Sequence, residues 1–193
     1  MKAESALQLL LHANQLKRVP RTGWMMRGVV NAESVSDHTF GVAFVSLVLA
    51  ELVEESVDIA KLLSIALLHD LPEAILSDIP APALRHLAPG AKEAAEDEVL
   101  RMLLEQLPRP EKWHAWWREF EQQASVEARL VRDADRMDRL IQAFVYEETT
   151  GNLWLQEFWS ETSPEAFEFE ASRSLFEALC RASGRPGGRG DAG

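Results

Sequence analysis

Two histidines and two aspartates are the residues of this sequence whose types best suit metal chemistry: His38, the adjacent pair His69 and Asp70, and Asp135. Mixed imidazole and carboxylate ligands suit one divalent metal ion, and this donor set alone does not choose among Mn²⁺, Co²⁺, Fe²⁺, Zn²⁺ and Mg²⁺. Four protein ligands leave an octahedral shell open for a water and a substrate oxygen, as a metal-dependent hydrolase requires. These residues are therefore candidate ligands of one divalent metal ion per chain.

Further acids and a group of cations extend this chemistry towards a phosphate ester. Glu73 follows His69 by four residues, about one helical turn, so both can face one site, and Asp78 comes five residues later. Metal and guanidinium can share phosphoryl oxygens, while a carboxylic acid protonates the leaving oxygen or positions water. Within this acidic chain, four cations fall within eleven positions: Lys17, Arg18, Arg21 and Arg27. The alternative interpretation of these cations is an ordinary solvated loop.

Helical periodicity runs through almost every segment that must position these side chains. Ser34 or Ser36 can cap the helix that carries His38, and Asp58 can cap the helix that delivers His69. The segment after His38 is apolar nearly all round, which predicts a helix in the middle of a bundle. No alternating strand pattern occurs, so the predicted fold class is all-α.

Two later helices matter for the site and for the end of the fold. Ser125 can begin a long helix to about Thr150, which carries both Asp133 and Asp135. Its apolar stripe runs closer to Asp133 than to Asp135, so periodicity leaves these two aspartates nearly tied as ligands. The pair Ser163 and Pro164 predicts the start of a last helix, which continues to about residue 182.

Composition bounds the class of protein. A length of 193 residues with 47% hydrophobic content predicts one domain, over residues 1–183, and the Gly- and Arg-rich residues 184–193 predict a disordered tail. The net charge of −11 argues against partners that are nucleic acids or membranes. A single cysteine, Cys180, and an N-terminus unlike a signal peptide predict a cytoplasmic protein.

Several blocks, taken together and in order, resemble the HD-domain metal-dependent phosphohydrolases, and within them the 5'-deoxynucleotidases. The His-Asp pair alone is a weak signal, but the ordered set is specific and covers roughly residues 7–170. The blocks are residues 16–24, 33–38, 67–73, 77–79 and 129–135. The resemblance implies a helical HD-domain bundle, commonly a homodimer, that hydrolyses deoxyribonucleoside 5'-monophosphates to nucleoside and phosphate.

The resemblance also implies roles for individual residues. It makes His38, His69, Asp70 and Asp135 the metal ligands, and so decides for Asp135 over Asp133. Arg18 matches the arginine that contacts phosphate. Glu73 and Asp78 match the catalytic acids, with Glu73 delivering a proton to the 5'-oxygen and Asp78 supporting Glu73 or contacting the sugar. Trp24 is a candidate aromatic wall for the substrate, since Val19 stands where some relatives have a tryptophan that helps exclude the 2'-hydroxyl.

Two other functions compete with this prediction. An HD-type phosphodiesterase or nucleotide pyrophosphatase with two metals uses further histidines between the His-Asp pair and the last aspartate, and only His86 and His114 lie there, outside ligand-like motifs. A non-catalytic helical interaction module with a structural metal is the second alternative. A structural site would typically have a closed shell and no spare acid and arginine beside it, in contrast to Glu73 and Arg18.

Overall fold

The computed structural model describes residues 3–185 as a bundle of helices, and the all-α prediction is confirmed. Short 3₁₀ turns at residues 16–18, 153–155 and 164–166 connect some of them. The helices are α1 (Ala3–Gln15), α2 (Thr22–Met25), α3 (Val35–Ala50), α4 (Ile59–Leu68), α5 (Glu73–Leu76), α6 (Ala81–Leu84), α7 (Ala91–Leu104), α8 (Pro110–Gln122), α9 (Val126–Thr150), α10 (Gln156–Ser160) and α11 (Glu170–Ala182). None of them is long and apolar enough to cross a membrane.

Helices α3, α4 and α9 pack against one another and form the centre of the bundle. Each begins at a side-chain cap that its sequence predicts. Ser34 accepts a hydrogen bond from the backbone of Asp37 in a capping box, Asp58 accepts one from the backbone of Lys61, and Ser125 caps α9. These caps fix where the three helices start, and therefore which residues they present to one another. Their buried faces include Val42, Leu49, Leu62, Ile65, Leu130 and Val131.

Helix α3 is central, but one of its faces is open to solvent. Val42 and Leu49 are fully buried, whereas Phe40 is 72% exposed and Phe44 is 59% exposed. The two phenylalanine rings stack on each other with centroids 6.2 Å apart. The expectation of a helix in the middle of the bundle therefore holds where α3 packs on α4 and α9 and is wrong for this exposed face.

The last helix begins later than its sequence predicts. Residues 164–166 form only a 3₁₀ turn, and α11 starts at Glu170. Between them Phe167 and Phe169 are both buried, and the carboxylate of Asp133 accepts hydrogen bonds from the backbone N–H groups of Glu168 and Phe169. Burying both rings and satisfying both N–H groups requires extended backbone there, which overrides the local helix signal.

The loop that carries the cations is pinned to the start of α3. Pro20 and Ser34 form an isolated antiparallel bridge, and the Arg21 backbone N–H donates to the Glu33 carbonyl at 2.9 Å. Trp24 anchors the same loop from inside the core, where it is 2% exposed. This bracing brings Arg21 close to the helix that bears His38.

The predicted disordered tail, residues 184–193, lies mostly outside the described part of the chain and stays a prediction. Arg185 lies in the predicted tail but is described: its guanidinium pairs with Glu147 at 2.7 Å and stacks over the Trp159 ring. Residues 186–193, the rest of that tail, lie outside the described part of the chain.

Candidate metal centre

Two helices and the end of a third bring the four predicted metal ligands to one place. His38 lies in the first turn of α3, His69 and Asp70 follow the last residue of α4, and Asp135 lies in α9. Pro72 contributes because it cannot continue α4, so the chain turns at residues 69–72 and starts α5 at Glu73. The turn frees the adjacent pair from the 100° separation that a continuous helix would impose.

The ligand atoms converge on a common point. His38 Nε2 lies 3.3 Å from Asp135 Oδ1 and 3.7 Å from Asp70 Oδ2, and His69 Nε2 lies 3.2 Å from Asp70 Oδ2. His38, His69 and Asp135 each offer an atom to a group that fits one ion. Two imidazole nitrogens and the Asp135 carboxylate can thus share one ion, and the Asp70 carboxylate lies against both histidines.

The unpaired nitrogen atoms fit a metal rather than a hydrogen-bond network. Nε2 of His38 and Nε2 of His69 are buried, and neither has a hydrogen-bond partner. Nδ1 of each ring, in contrast, is engaged: that of His69 by the Ala66 carbonyl at 2.6 Å and that of His38 by Asp138 at 2.8 Å. A ring held through Nδ1 with Nε2 directed at carboxylates is the usual arrangement of a histidine ligand.

The electrostatics of the cluster favour a cation at its centre. Burial would raise the pKa of Asp70, but the charges of His69 and Arg21 outweigh it and hold that pKa well below its usual range. Burial likewise opposes ionisation of Asp135, but the close approach and charge of His38 bring its pKa well below normal. Burial and Arg21 lower the pKa of His38, yet the nearby carboxylates of Asp135 and Asp138 prevail and raise it to about 9. Both carboxylates are therefore ionised at neutral pH.

Asp133 and Asp135, which periodicity leaves nearly equal as candidate ligands, lie in two different environments on α9. Asp135 faces the histidines, whereas Asp133 is 1% exposed and binds the backbone of Glu168 and Phe169. The apolar stripe runs closer to Asp133 because that carboxylate is also buried, but against the chain before α11. Periodicity detects burial and cannot tell which neighbour is buried with the residue.

Glu73 is the predicted catalytic acid that lies beside the cluster. It is 3% exposed, and its Oε2 atom is buried with no hydrogen-bond partner. Burial raises its pKa first, the charges of Asp70 and Asp78 add to this, and the result is about 9 although Arg21 and Lys92 oppose it. The carboxyl group is therefore protonated in the metal-free protein at neutral pH, as a proton donor must be.

Asp78 is held in a network with the cation loop. Its Oδ2 atom accepts hydrogen bonds from the backbone N–H of Thr22 at 2.6 Å and from the Thr22 hydroxyl at 2.9 Å. Ser77 precedes it with φ +62° and ψ 166°, a backbone conformation that residues other than glycine rarely adopt. The strained residue turns the chain so that Asp78 reaches the start of α2, next to Arg21.

The loop places Arg21, three residues after the predicted Arg18, directly beside the cluster. The Nη1 atom of Arg21 lies 3.3 Å from Asp70 Oδ2, and the charges of Asp70 and Asp78 raise its pKa although burial opposes this. The Arg18 side chain is exposed and forms no hydrogen bond or ion pair with another described residue. The sequence indicates Arg21 only as one of the four clustered cations.

A cavity of about 210 Å³ adjoins the cluster and shares Arg21 and Asp78 with it. Trp24, the predicted aromatic wall, contributes to its lining but is otherwise core: it packs on Phe158 and donates a hydrogen bond from Nε1 to Glu33 at 2.8 Å. Phe158, the other aromatic side chain of this lining, is partly buried, and its ring lies under the Arg27 guanidinium.

Two supporting residues have no counterpart in the sequence prediction. Asp138 binds His38, as described above, and the indole N–H of Trp117 donates to the backbone carbonyl of His69 at 3.3 Å. Neither contact has a local signal, since each joins elements far apart in the chain. His114, weighed as an extra ligand, pairs with Asp97 at 2.7 Å.

Comparison with known proteins decides the family. The family model described as HD domain matches residues 13–172. The chain belongs to the HD-domain family. This HD-domain protein is 35% identical over 184 residues to the human protein named 5'-deoxynucleotidase HDDC2, an alignment that covers 89% of this chain and 88% of that one. It is 38% identical over 163 residues to the zebrafish (Danio rerio) protein of the same name, with 82% and 78% covered.

A solved structure supports the same placement. A conserved hypothetical protein from Pyrococcus furiosus matches the HD-domain protein with a TM-score of 0.76 and 40% identity, over 91% of this chain and 97% of the other. The resemblance seen in the sequence blocks is therefore confirmed at the level of family and fold. The HD domain also implies that the protein binds a divalent metal.

Proposed function

We propose that this protein is a metal-dependent 5'-nucleotidase that hydrolyses nucleoside 5'-monophosphates, deoxyribonucleotides above all, to nucleoside and phosphate. The observation that carries the proposal is the convergence of two imidazole nitrogens without hydrogen-bond partners, two aspartates, a buried glutamate and an arginine. The similarity to proteins named 5'-deoxynucleotidase supports the choice of substrate.

We assign the metal to His38, His69, Asp70 and Asp135, one ion per chain. The bound ion supplies Lewis acidity, which polarises the phosphoryl oxygens and lowers the pKa of water. Ligand type leaves Mn²⁺, Co²⁺, Fe²⁺, Zn²⁺ and Mg²⁺ all compatible. The protein's own contribution is to keep both carboxylates ionised and both Nε2 atoms free of other partners.

Proton transfer falls to Glu73 in this proposal. Burial and the charges of Asp70 and Asp78 raise the pKa of its carboxyl group, which suits donation of a proton to the 5'-oxygen as the phosphorus–oxygen bond breaks. Asp78 keeps the pKa of Glu73 raised through its charge and, through Thr22, holds the loop beside the cavity. Asp78 therefore supports Glu73, one of the two roles that the resemblance leaves open for it.

Charge on the phosphoryl group requires a cation, and two arginines are candidates. Resemblance assigns the contact to Arg18, whereas burial and the distance to Asp70 favour Arg21. A guanidinium can bind two phosphoryl oxygens at once through paired N–H groups, which a phosphate monoester presents. The nucleoside would occupy the adjoining cavity, against Trp24 and Phe158.

Phosphate release from a panel of monophosphates tests the proposed function. Metal-stripped protein with added Mn²⁺ or Co²⁺ is expected to release phosphate from dAMP, dGMP, dCMP, dTMP and dUMP, and Asp70→Ala is the inactive control. The ratio to the matching ribonucleotides reports whether Val19 relaxes the choice of sugar. Metal-bound protein that releases no phosphate from any monophosphate would refute the nucleotidase and direct attention to diesters and pyrophosphates.

We further propose a cytoplasmic homodimer with no nucleic-acid or membrane partner. The exposed face of α3 supports a self-association surface, because Phe40, Phe44 and Val48 recur every four residues and form one apolar stripe. Light scattering should give the mass of two chains. Phe44→Asp should shift the protein to monomer, whereas Leu10→Asp, at an equally exposed site on α1, should not. A wild-type monomer at micromolar concentration would contradict the homodimer.

A further inference from the structure

The carboxylate of Asp138 is the hydrogen-bond partner of the His38 ring on the side that faces away from the metal ligands. Asp138 Oδ2 lies 2.8 Å from His38 Nδ1, while Nε2 of the same ring faces Asp135 and Asp70. Asp138 follows Asp135 by three residues on α9, so the two carboxylates lie on one side of that helix. One helix thus contacts both nitrogens of His38.

Gly41 makes room for this contact. It lies three residues after His38 on α3, where the two helices pack face to face. A Cβ atom added at Gly41 would overlap all three atoms of the Asp138 carboxylate group. No positive φ requires glycine here, since Gly41 lies within a regular helix. The absence of a side chain therefore serves the approach of Asp138.

His69 offers an internal comparison. Its Nδ1 atom is held by a backbone carbonyl, that of Ala66, at 2.6 Å. His38 lies in the first turn of its helix, and its ring is held by a side chain from α9 instead. An Nδ1–H donated to an acceptor fixes the tautomer that leaves the Nε2 lone pair available.

We propose that Asp138 is a positioning residue of the metal site: it accepts the Nδ1 proton of His38 and thereby directs Nε2 at the ion, and Gly41 is required for it to do so. The inference rests on the proposed ligation by His38. The inference goes beyond that ligation because Asp138 is assigned no contact with the ion or the substrate. It also explains why a buried aspartate and a helical glycine occur together at this point of the α3–α9 contact.

Another arrangement of the same atoms makes the opposite prediction. Glu33, His38 and Asp138 also lie close enough to hold a cation, and His38 would then bind through Nδ1. Glu33, however, already accepts a hydrogen bond from the Trp24 indole at 2.8 Å. Nε2 of His38 has no partner, so the side of the ring facing Asp135 is the one left for a ligand bond.

Metal affinity is the first readout. Calorimetric titration of Mn²⁺ into metal-stripped protein should give a Kd 10–100-fold higher for Asp138→Asn than for wild type. The substitution keeps the shape of the side chain, removes its charge and adds an NH₂ group that competes for Nδ1. Gly41→Ala should weaken binding in the same direction. Asp133→Asn is the matched control: a buried aspartate of the same helix, bound to backbone away from the cluster, whose loss should lower stability and leave the Kd unchanged.

The tautomer of His38 is the second readout and needs no variant. In ¹⁵N spectra of the Zn²⁺-loaded wild-type protein, His38 should show a proton on Nδ1 and a metal on Nε2. A metal on Nδ1 would overturn the proposal in favour of the arrangement with Glu33, whether or not any variant folds. A Kd for folded Asp138→Asn within twofold of wild type would also overturn it. Protein that binds Mn²⁺ as expected but releases no phosphate would refute only the proposed function.

Discussion

Glu73→Gln should lower kcat for phosphate release by roughly 10²–10⁴-fold, the usual contribution of a positioned general acid. Glutamine fills the same buried space but has no acidic proton for the 5'-oxygen. Because Glu73 is not among the proposed metal ligands, the variant should bind Mn²⁺ with a Kd close to that of wild type. Steady-state kinetics and calorimetry on the same preparation measure the two quantities.

The same substitution should stabilise the metal-free protein, and the effect should grow with pH. The pKa of Glu73 is about 9 in the folded protein against 4.5 as its ordinary value, so the folded state holds this proton more tightly than the unfolded state. Folding stability from this group therefore falls as pH rises from about 4.5 to about 9. Glutamine removes that loss, and each kcal/mol regained raises Tm by about 2–4 °C in a protein of this size.

Glu127→Gln is the matched control, since its sign is opposite. Glu127 is also buried, but hydrogen bonds from the Asp58 backbone and from Lys61 outweigh burial and lower its pKa. Its contribution to stability is present at neutral pH and lost as pH falls, so the glutamine variant should be less stable at pH 7 and fully active. A Glu73→Gln protein that keeps wild-type kcat, or that loses Tm at pH 9, would contradict the role assigned to Glu73.

Local rules account for the parts of the fold that local sequence controls. Ser34, Asp58 and Ser125 cap the helices they were predicted to cap, because a cap depends on the next three residues alone. The turn at Pro72 follows from one missing N–H and one steric clash. Ser34 places His38 in the first turn of α3, and Pro72 places His69 and Asp70 at the end of α4, which is why much of the proposed ligand set could be predicted.

Long-range contacts explain what local rules missed. The backbone before α11 is extended because Asp133, 35 and 36 positions earlier, binds its N–H groups. Asp138 reaches His38 across 100 positions, and Trp117 reaches the His69 carbonyl across 48. Periodicity measures how a residue relates to its own helix, so it cannot reveal partners on another one. Periodicity left Asp133 and Asp135 equal as candidate ligands. The family resemblance favoured Asp135, because a resemblance carries tertiary information.

Arg21→Ala should lower kcat/KM for a nucleoside monophosphate by roughly 10²-fold, since a hydrogen-bonded charge is worth up to about 3 kcal/mol. The loss should appear in kcat as well as KM if the guanidinium binds charge that develops during transfer. Arg18→Ala, which removes an exposed arginine three positions earlier in the same loop, should stay within about threefold of wild type. Arg21→Lys should recover part of the activity, because a point charge remains but the paired N–H groups do not.

The pair of arginine variants separates resemblance from geometry. If Arg18→Ala loses as much as Arg21→Ala, the substrate draws the exposed Arg18 into the site and the contact implied by the resemblance stands. If only Arg21→Ala loses activity, the arginine that binds the phosphate is Arg21, three residues after the position that the resemblance implies. Arg21 also balances Asp70, Asp78 and Asp135, so its removal should strengthen attraction of a divalent cation while weakening catalysis. If Arg21 were merely structural, its removal would lower both Mn²⁺ affinity and activity. The Mn²⁺ titration of Arg21→Ala distinguishes the two cases.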